Sequence, residues 1–211
     1  MGHKTGLWLE EAAVPYYLFR EKGFQVVLAS IKGGEIPIDQ GSLTGDFYVP
    51  QSQKFMEDTD AQSKLQNSIP IADIDFTTVD AVYLAGGHGT CADFTSNKTL
   101  IDAIETLYKS SKIVSAVCHG VTGLVECKKP DGKPLVEGLK VSAFSDSEEK
   151  AVGLSEKVPF LLETKIKELG AKYEVADDWN PKICIDGNLM TGQNPQSSEL
   201  LAQAVAKALN A

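Results

Sequence analysis

The sequence predicts an α/β protein, a mainly parallel sheet covered by helices on both faces. Three observations carry that prediction. Short β-branched runs alternate with stretches of helical period along the chain. Gly23 and Gly170 each follow a helical stretch and precede a β-type run, as capping glycines do. Finally, 211 residues at 43% hydrophobic composition suffice for one sizeable core and fall short of two, so residues 1–211 read as a single domain.

The elements follow in chain order. Leu7 to Lys22 is amphipathic and helical, and no apolar strand precedes it, although a doubly wound sheet usually opens with one. The chain is therefore expected to lack the usual first strand. Phe24 to Ser30 reads as a strand. Residues 31–78 are polar, carry Gly33-Gly34, Pro37, Pro50 and Pro70, and show one helix near Gln53 to Gln66; a connection that long suggests a lid or binding loop. Strands are predicted at Ala81 to Ala85, Ile113 to Val117 and Leu139 to Phe144, and helices at Asn97 to Ser110, from Cys118 onward, at Lys157 to Leu169 and at Ser197 to Leu209. Asp186-Gly187, between Ile183-Cys184-Ile185 and Leu189-Met190-Thr191, signals a small hairpin decorating the sheet.

A net charge of −9 with no basic run excludes a polyanionic partner, so no nucleic acid is expected. No signal-peptide pattern opens the sequence and no apolar run is long enough to span a bilayer. A soluble, cytoplasmic protein with no membrane partner is the expectation. Cys91, Cys118, Cys127 and Cys184 lack zinc-type spacing, and reduced thiols are expected. With His3, His88 and His119 the only histidines, no metal and no other cofactor is expected.

Ser115-Ala116-Val117-Cys118-His119-Gly120 is the stretch richest in chemistry. An apolar strand meets a small turn there, which places Cys118 at a strand-to-helix elbow where a helix N-terminus favours thiolate. Position alone fits an ordinary buried thiol equally well. The Gly-rich turn Ala85-Gly86-Gly87-His88-Gly89-Thr90 closes the preceding strand, and the carboxyl ends of neighbouring parallel strands share one crevice. Its N–H groups, with that of His119, could serve a developing oxyanion, or the glycines could simply end the strand. The cluster Asp146-Ser147-Glu148-Glu149 could supply a carboxylate to the His119 ring, or be a solvated helix N-terminus. Of Glu10 and Glu11, Glu11 shares a helix side with Leu7, Val14 and Leu18; an acid held there would have a raised pKa and could move protons.

Together these segments resemble the DJ-1/PfpI superfamily, in its glutathione-independent glyoxalase branch, whose members are also described as heat-shock chaperones. The resemblance rests on six segments in order, beginning Thr5-Gly6-Leu7-Trp8-Leu9-Glu10-Glu11-Ala12, Ala85 to Thr90 and Ala116 to Gly120. It continues through Gly132-Lys133-Pro134-Leu135-Val136-Glu137-Gly138, Phe144 to Glu149 and Thr191-Gly192-Gln193-Asn194-Pro195. It implies a flavodoxin-like three-layer sandwich, with Cys118 as nucleophile, His119 and Glu149 as its triad partners and Glu11 as the acid near the thiol. It places Gly86, Gly87 and His88 at the oxyanion and substrate position, with the Gly87 and His119 N–H groups as donors. The implied activity is conversion of methylglyoxal and similar 2-oxoaldehydes to 2-hydroxy acids such as D-lactate, without cofactor, in a homodimer. A holdase chaperone or redox sensor acting on unfolded clients, a cysteine peptidase or amidase, and a protein deglycase are the alternatives. Family members ordinarily open with a strand ahead of the Thr-Gly segment, so the resemblance implies that an element helping to position Glu11 is lacking.

Overall fold

The computed structural model describes residues 4–210. In chain order it forms α1 (Glu10–Glu21), β1 (Ala29–Ser30), α2 (Pro50–Glu57), α3 (Thr59–Gln66), β2 (Ile69–Pro70), β3 (Ala81–Leu84) and α4 (Thr90–Asp93). Next come α5 (Lys98–Lys109), β4 (Ile113–Val117), a 3-10 helix over Cys118–Leu124, β5 (Lys140–Val141), α6 (Asp146–Ala151) and α7 (Leu162–Glu168). The chain ends with β6 (Lys172–Tyr173), β7 (Ile183–Asp186), β8 (Leu189–Gly192) and α8 (Ser198–Leu209).

The central sheet runs β3-β4-β8-β7. β3, β4 and β8 are parallel, and β7 is antiparallel to β8. β4 is buried along its whole length, and its alternation sorts the two faces. Val114 and Ala116 join Leu84, Ile104, Leu107 and Leu189 in one core, on the α5 side. Ile113 and Val117 join Met190, Leu201 and Val205 in a second, on the α8 side. Helices thus cover both faces, as the alternating pattern requires. A third core unites α1 with α2 and α3, through Leu9, Tyr16, Phe55, Ala61 and Leu65.

The structure departs from the sequence reading at several elements. The Asp186-Gly187 hairpin does not decorate the sheet: its second strand, β8, lies beside β4 near the sheet centre. Its register pairs Asp186 with Leu189, so the loop is Gly187-Asn188, with Gly187 at φ 61° as in a type II′ turn. The helix expected near Gln53 to Gln66 is two helices, because Asp58 leaves the helical path and caps α3 through the N–H groups of Asp60 and Ala61. The segment after Cys118 is 3-10 rather than α-helical. Of Phe24 to Ser30 only Ala29–Ser30 pairs, with Ile69–Pro70. A β-prone run becomes a strand only where a ladder partner reaches it, and here Val27 is 51% exposed.

The other side of that run opens onto a cleft of about 1230 Å³. Leu28, Phe19, Tyr83 and Ile104 line it, and it extends to Glu11 and Gly86. The cleft separates β1 and β2 from the central sheet, where β3 pairs with β4 alone among the described residues. No helix of the described residues is long and apolar enough to cross a membrane.

Candidate active site

The carboxyl ends of β3 and β4 bring the two sequence motifs together. Cys118 directly follows β4 with φ 55°, a left-handed conformation rarely adopted by a residue with a side chain, as at a nucleophile elbow. The elbow needs room beneath it. A Cβ on Gly120 would lie 2.2 Å from the Leu84 carbonyl oxygen, and one on Gly86 would lie 2.8 Å from the His119 nitrogen and 2.7 Å from Glu11 Oε2. Glycine at both positions lets the two turns meet at backbone contact.

His119 is buried beside the thiol, with Nδ1 3.4 Å from Cys118 Sγ and Nε2 2.7 Å from Glu149 Oε2. His88 places its Nε2 2.8 Å from the other carboxylate oxygen, Glu149 Oε1, and its ring 4.0 Å from that of His119. One carboxylate therefore holds two imidazoles. Burial would raise Glu149, but hydrogen bonds from His119 and His88 outweigh it and hold the carboxyl at about 2. Burial pushes His119 down to about 4 against the opposing pull of Glu149. At neutral pH the ring is neutral and the acid ionised, so Nε2–H donates to Glu149 and the Nδ1 lone pair faces the thiol. Thr90 and Thr122 fix the same residue from behind, each hydroxyl donating to the His119 carbonyl at 2.8 Å.

Glu11, in the first turn of α1, is fully buried and accepts the Gly86 N–H at 2.6 Å on Oε2. Its Oε1 has no partner of ordinary hydrogen-bond geometry among the described residues. Burial raises the Glu11 carboxyl well above its usual range, and the neighbouring thiol lowers it somewhat. Burial likewise raises the Cys118 thiol, and Glu11 raises it further by charge and by hydrogen bonding. The sequence expectation of a resting thiolate at a helix N-terminus is thus reversed. The 3-10 turn gives little macrodipole, and desolvation beside an acid outweighs it. Burial thus disfavours a resting charge on the thiol, and Glu11 adds to that effect.

The expected residues Cys118, His119, Glu149 and Glu11 converge. Gly86 and His88 stand in other roles than expected: the Gly86 N–H is held by Glu11 and the His88 ring by Glu149. Gly87 takes φ 97° and its N–H donates to no acceptor among the described residues, leaving it available to an oxyanion. The backbone N–H of His119 pulls the Cys118 thiol down, against burial and Glu11. Cys91, Cys127 and Cys184 are buried and unpaired, and burial raises Cys91 and Cys127 to about 12 and Cys184 to about 11.

His88, His119 and Glu149 present ligand atoms within 4.8 Å of one another, and so could hold a divalent metal. A metal on Nε2 of His119 would fix the proton on Nδ1 and remove the acceptor facing Cys118.

Sequence reasoning missed Glu148. Its buried carboxylate accepts from Trp179 N and Asn194 Nδ2 on Oε1, at 2.9 and 2.8 Å, and from Ser145 N and Oγ on Oε2, both at 3.0 Å. The Ser145-x-x-Glu148 spacing of a capping box was the available signal. Phe144, 4.5 Å from the His119 ring, was read as the end of a strand and the start of a family segment, with no role at the site.

A profile of the DJ-1/PfpI family matches residues 5–208. The chain is 33% identical to "Glyoxalase 3" of Candida albicans, over 98% of this chain and 91% of that protein. It is 32% identical to "Glutathione-independent glyoxalase HSP31" of Saccharomyces cerevisiae, over 95% and 88%. Among solved structures, glyoxalase III from Candida albicans superposes with a TM-score of 0.90 at 30% identity, covering 98% of this chain and 90% of that one. The Rapid Encystment Protein of 24 kDa from Francisella tularensis does so with 0.94 at 37%, covering 99% and 92%.

Proposed function

The chain belongs to the DJ-1/PfpI family, and from that premise we propose that it is a glutathione-independent glyoxalase, converting methylglyoxal and similar 2-oxoaldehydes to 2-hydroxy acids with Cys118 as nucleophile. The observation that carries the reading is the buried pairing of Glu11 and Cys118 opposite a neutral His119. A thiol must add to the aldehyde, and a group of tunable protonation must then move a carbon-bound proton.

Sγ adds to the aldehyde carbon as the thiol proton passes to His119 Nδ1, and the alkoxide that forms meets the Gly87 N–H. The proton on His119 passes to this oxygen and completes a hemithioacetal. Glu11, as carboxylate, removes the proton from the former aldehyde carbon, giving an enediolate, and the remaining hydroxyl proton moves from the oxygen of that carbon to the neighbouring oxygen. Glu11 then returns its proton to the neighbouring carbon, leaving a 2-hydroxy thioester. One carbon is oxidised and its neighbour reduced, so the rearrangement needs no external electron carrier. Water, with His119 as base, cleaves the C–S bond, releasing the 2-hydroxy acid and the thiol. D-lactate is the product proposed from methylglyoxal. Glu149 keeps the His119 tautomer that both steps require.

Purified wild-type protein is expected to form lactate stoichiometrically from methylglyoxal without glutathione, and Cys118→Ala to form none. Equal turnover by a folded Cys118→Ala protein would sink the reading. Homodimerisation, unfolded client proteins and a cytoplasmic location are further expectations of the family, the first tested by sedimentation and the second by suppression of client light scattering.

A further inference from the structure

Four aromatic side chains form an arc with one ring on His119 and the other terminal residue joined through its backbone to the Gly86 turn. Trp8 meets Phe47 edge-on at 5.0 Å, Phe47 meets Trp179 at 6.4 Å, and Trp179 meets Phe144 at 5.9 Å. At one end Phe144 lies on the His119 ring. At the other, the backbone N–H of Trp8, not its indole, donates to the Gly86 carbonyl at 3.2 Å, next to Gly87, whose N–H donates to no acceptor among the described residues. The arc thus runs from the base side of the site to its oxyanion side, drawing on segments far apart in sequence.

Core packing accounts for only half of it: Phe144 lies in the core on the α8 side and Trp179 packs against that core. Trp8, Phe47 and Trp179 are half-buried, and neither Trp8 nor Phe47 belongs to any of the three apolar cores. The Trp8 indole N–H, though shielded, donates to no acceptor among the described residues. Trp179 sits at φ 64°, a strained position for so large a residue. It is held there by its N–H on the buried Glu148 carboxylate, which Asn194 also ties to the Asn180 carbonyl. A turn strained and tethered in this way serves to place the indole.

We propose that the arc Trp8–Phe47–Trp179–Phe144 is a subsite for the carbon-2 substituent of the substrate, and that it selects 2-oxoaldehydes bearing an aromatic or bulky apolar group over those bearing a methyl. This rests on the glyoxalase reading for its substrate class, while the subsite itself is a claim about what approaches Cys118. Edge and face contacts between rings reward an aromatic group beyond its apolar area. The charged side chains that converge on Cys118 and His119 are carboxylates, Glu11, Glu148 and Glu149, so the subsite favours a neutral substituent over an anionic one.

Two measurements test it in Trp179→Gly and Phe47→Ala. Glycine accepts the left-handed backbone at position 179, so the first variant removes the indole and keeps the turn. The first measurement is the ratio of kcat/KM for phenylglyoxal to that for methylglyoxal. The second is the ratio of Cys118 alkylation rates by phenacyl bromide and iodoacetamide, which needs no turnover. Each variant is expected to lower both ratios roughly fivefold. Unchanged alkylation ratios in both variants, or equal losses for the two reagents, would overturn the subsite. Absence of lactate from methylglyoxal and of mandelate from phenylglyoxal, with the alkylation ratios lowered as expected, would instead defeat the glyoxalase reading and leave the subsite standing.

Discussion

At Cys118 the local field sets the chemistry. A thiol buried beside an acid resists ionisation, and the structure gives it two proton partners on opposite sides, His119 Nδ1 and the Glu11 carboxyl. Glu11→Gln removes the negative charge that raises the thiol. Its Cys118 is expected to react faster with iodoacetamide at pH 7 while lactate formation falls by about 10²- to 10⁴-fold, the usual worth of a positioned acid–base group. Opposite signs in the two assays separate a proton carrier from a group that merely shapes the pocket. The pH dependence follows from His119 and Glu149. Folded His119 titrates near 4 against 6.5 when unperturbed, so the unfolded chain takes up that proton first and stability falls as pH drops from about 6.5 to 4. Glu149 titrates near 2 against 4.5, so its stabilisation is present above 4.5 and is lost as pH falls towards 2. The urea midpoint is therefore expected to decline steadily from pH 7 to pH 3, and activity to fall as His119 becomes protonated near pH 4. A midpoint flat over that range would contradict the neutral buried imidazole. That Cys118, His119, Glu149 and Glu11 lie together was legible in the sequence because glycine turns, strand ends and helix period place backbone, while their roles are those the family segments imply. The direction of the Cys118 shift was not legible, since desolvation depends on what covers the thiol rather than on what adjoins it in sequence.

Among the elements, the 31–78 connection changes most between reading and structure. It was expected to be a lid or binding loop with one helix, and it is a pair of helices sharing a core with α1, the helix that carries Glu11. The same connection delivers Phe47 to the aromatic arc. Phe55 is fully buried in that core, with Tyr16 edge-on at 5.4 Å. Phe55→Ala is expected to destabilise by about 3–5 kcal/mol, as removal of a buried aromatic usually does. Chemical denaturation measures it, and a loss under 1 kcal/mol would mean that α2 contributes little to holding α1. Asp58→Ala removes the cap that divides α2 from α3 and is expected to lose about 1 kcal/mol. The break itself was hidden from periodicity because polar Gln, Ser, Asp and Lys dominate both helices. Only the Asp58 side chain, reaching back to two N–H groups, announces it.

For the whole molecule, the alternating pattern predicted the class of fold, and β4 met that prediction residue for residue. Strand neighbours were another matter. Nothing local in Leu189–Gly192 says that it lies beside β4, because sheet order is settled by which apolar faces close together over long separations. Pairing also decides where the sheet is open. β3 has β4 on one side and the cleft on the other, so the N–H groups of Ala81–Leu84 that point away from β4 lack a ladder partner among the described residues. Those amides are expected to exchange with solvent deuterium well ahead of the β4 amides, and equal protection across both strands would show the cleft closed in solution. The open cleft reaches Glu11, so fold and chemistry meet at one residue. In the proposed mechanism Cys118 makes the bond to carbon and Glu11 moves the carbon-bound proton. Intact-mass spectrometry of Glu11→Gln incubated with methylglyoxal, alongside a lactate assay, separates the two roles. One methylglyoxal equivalent is expected on Cys118 with almost no lactate, whereas lactate at the wild-type rate would contradict the division.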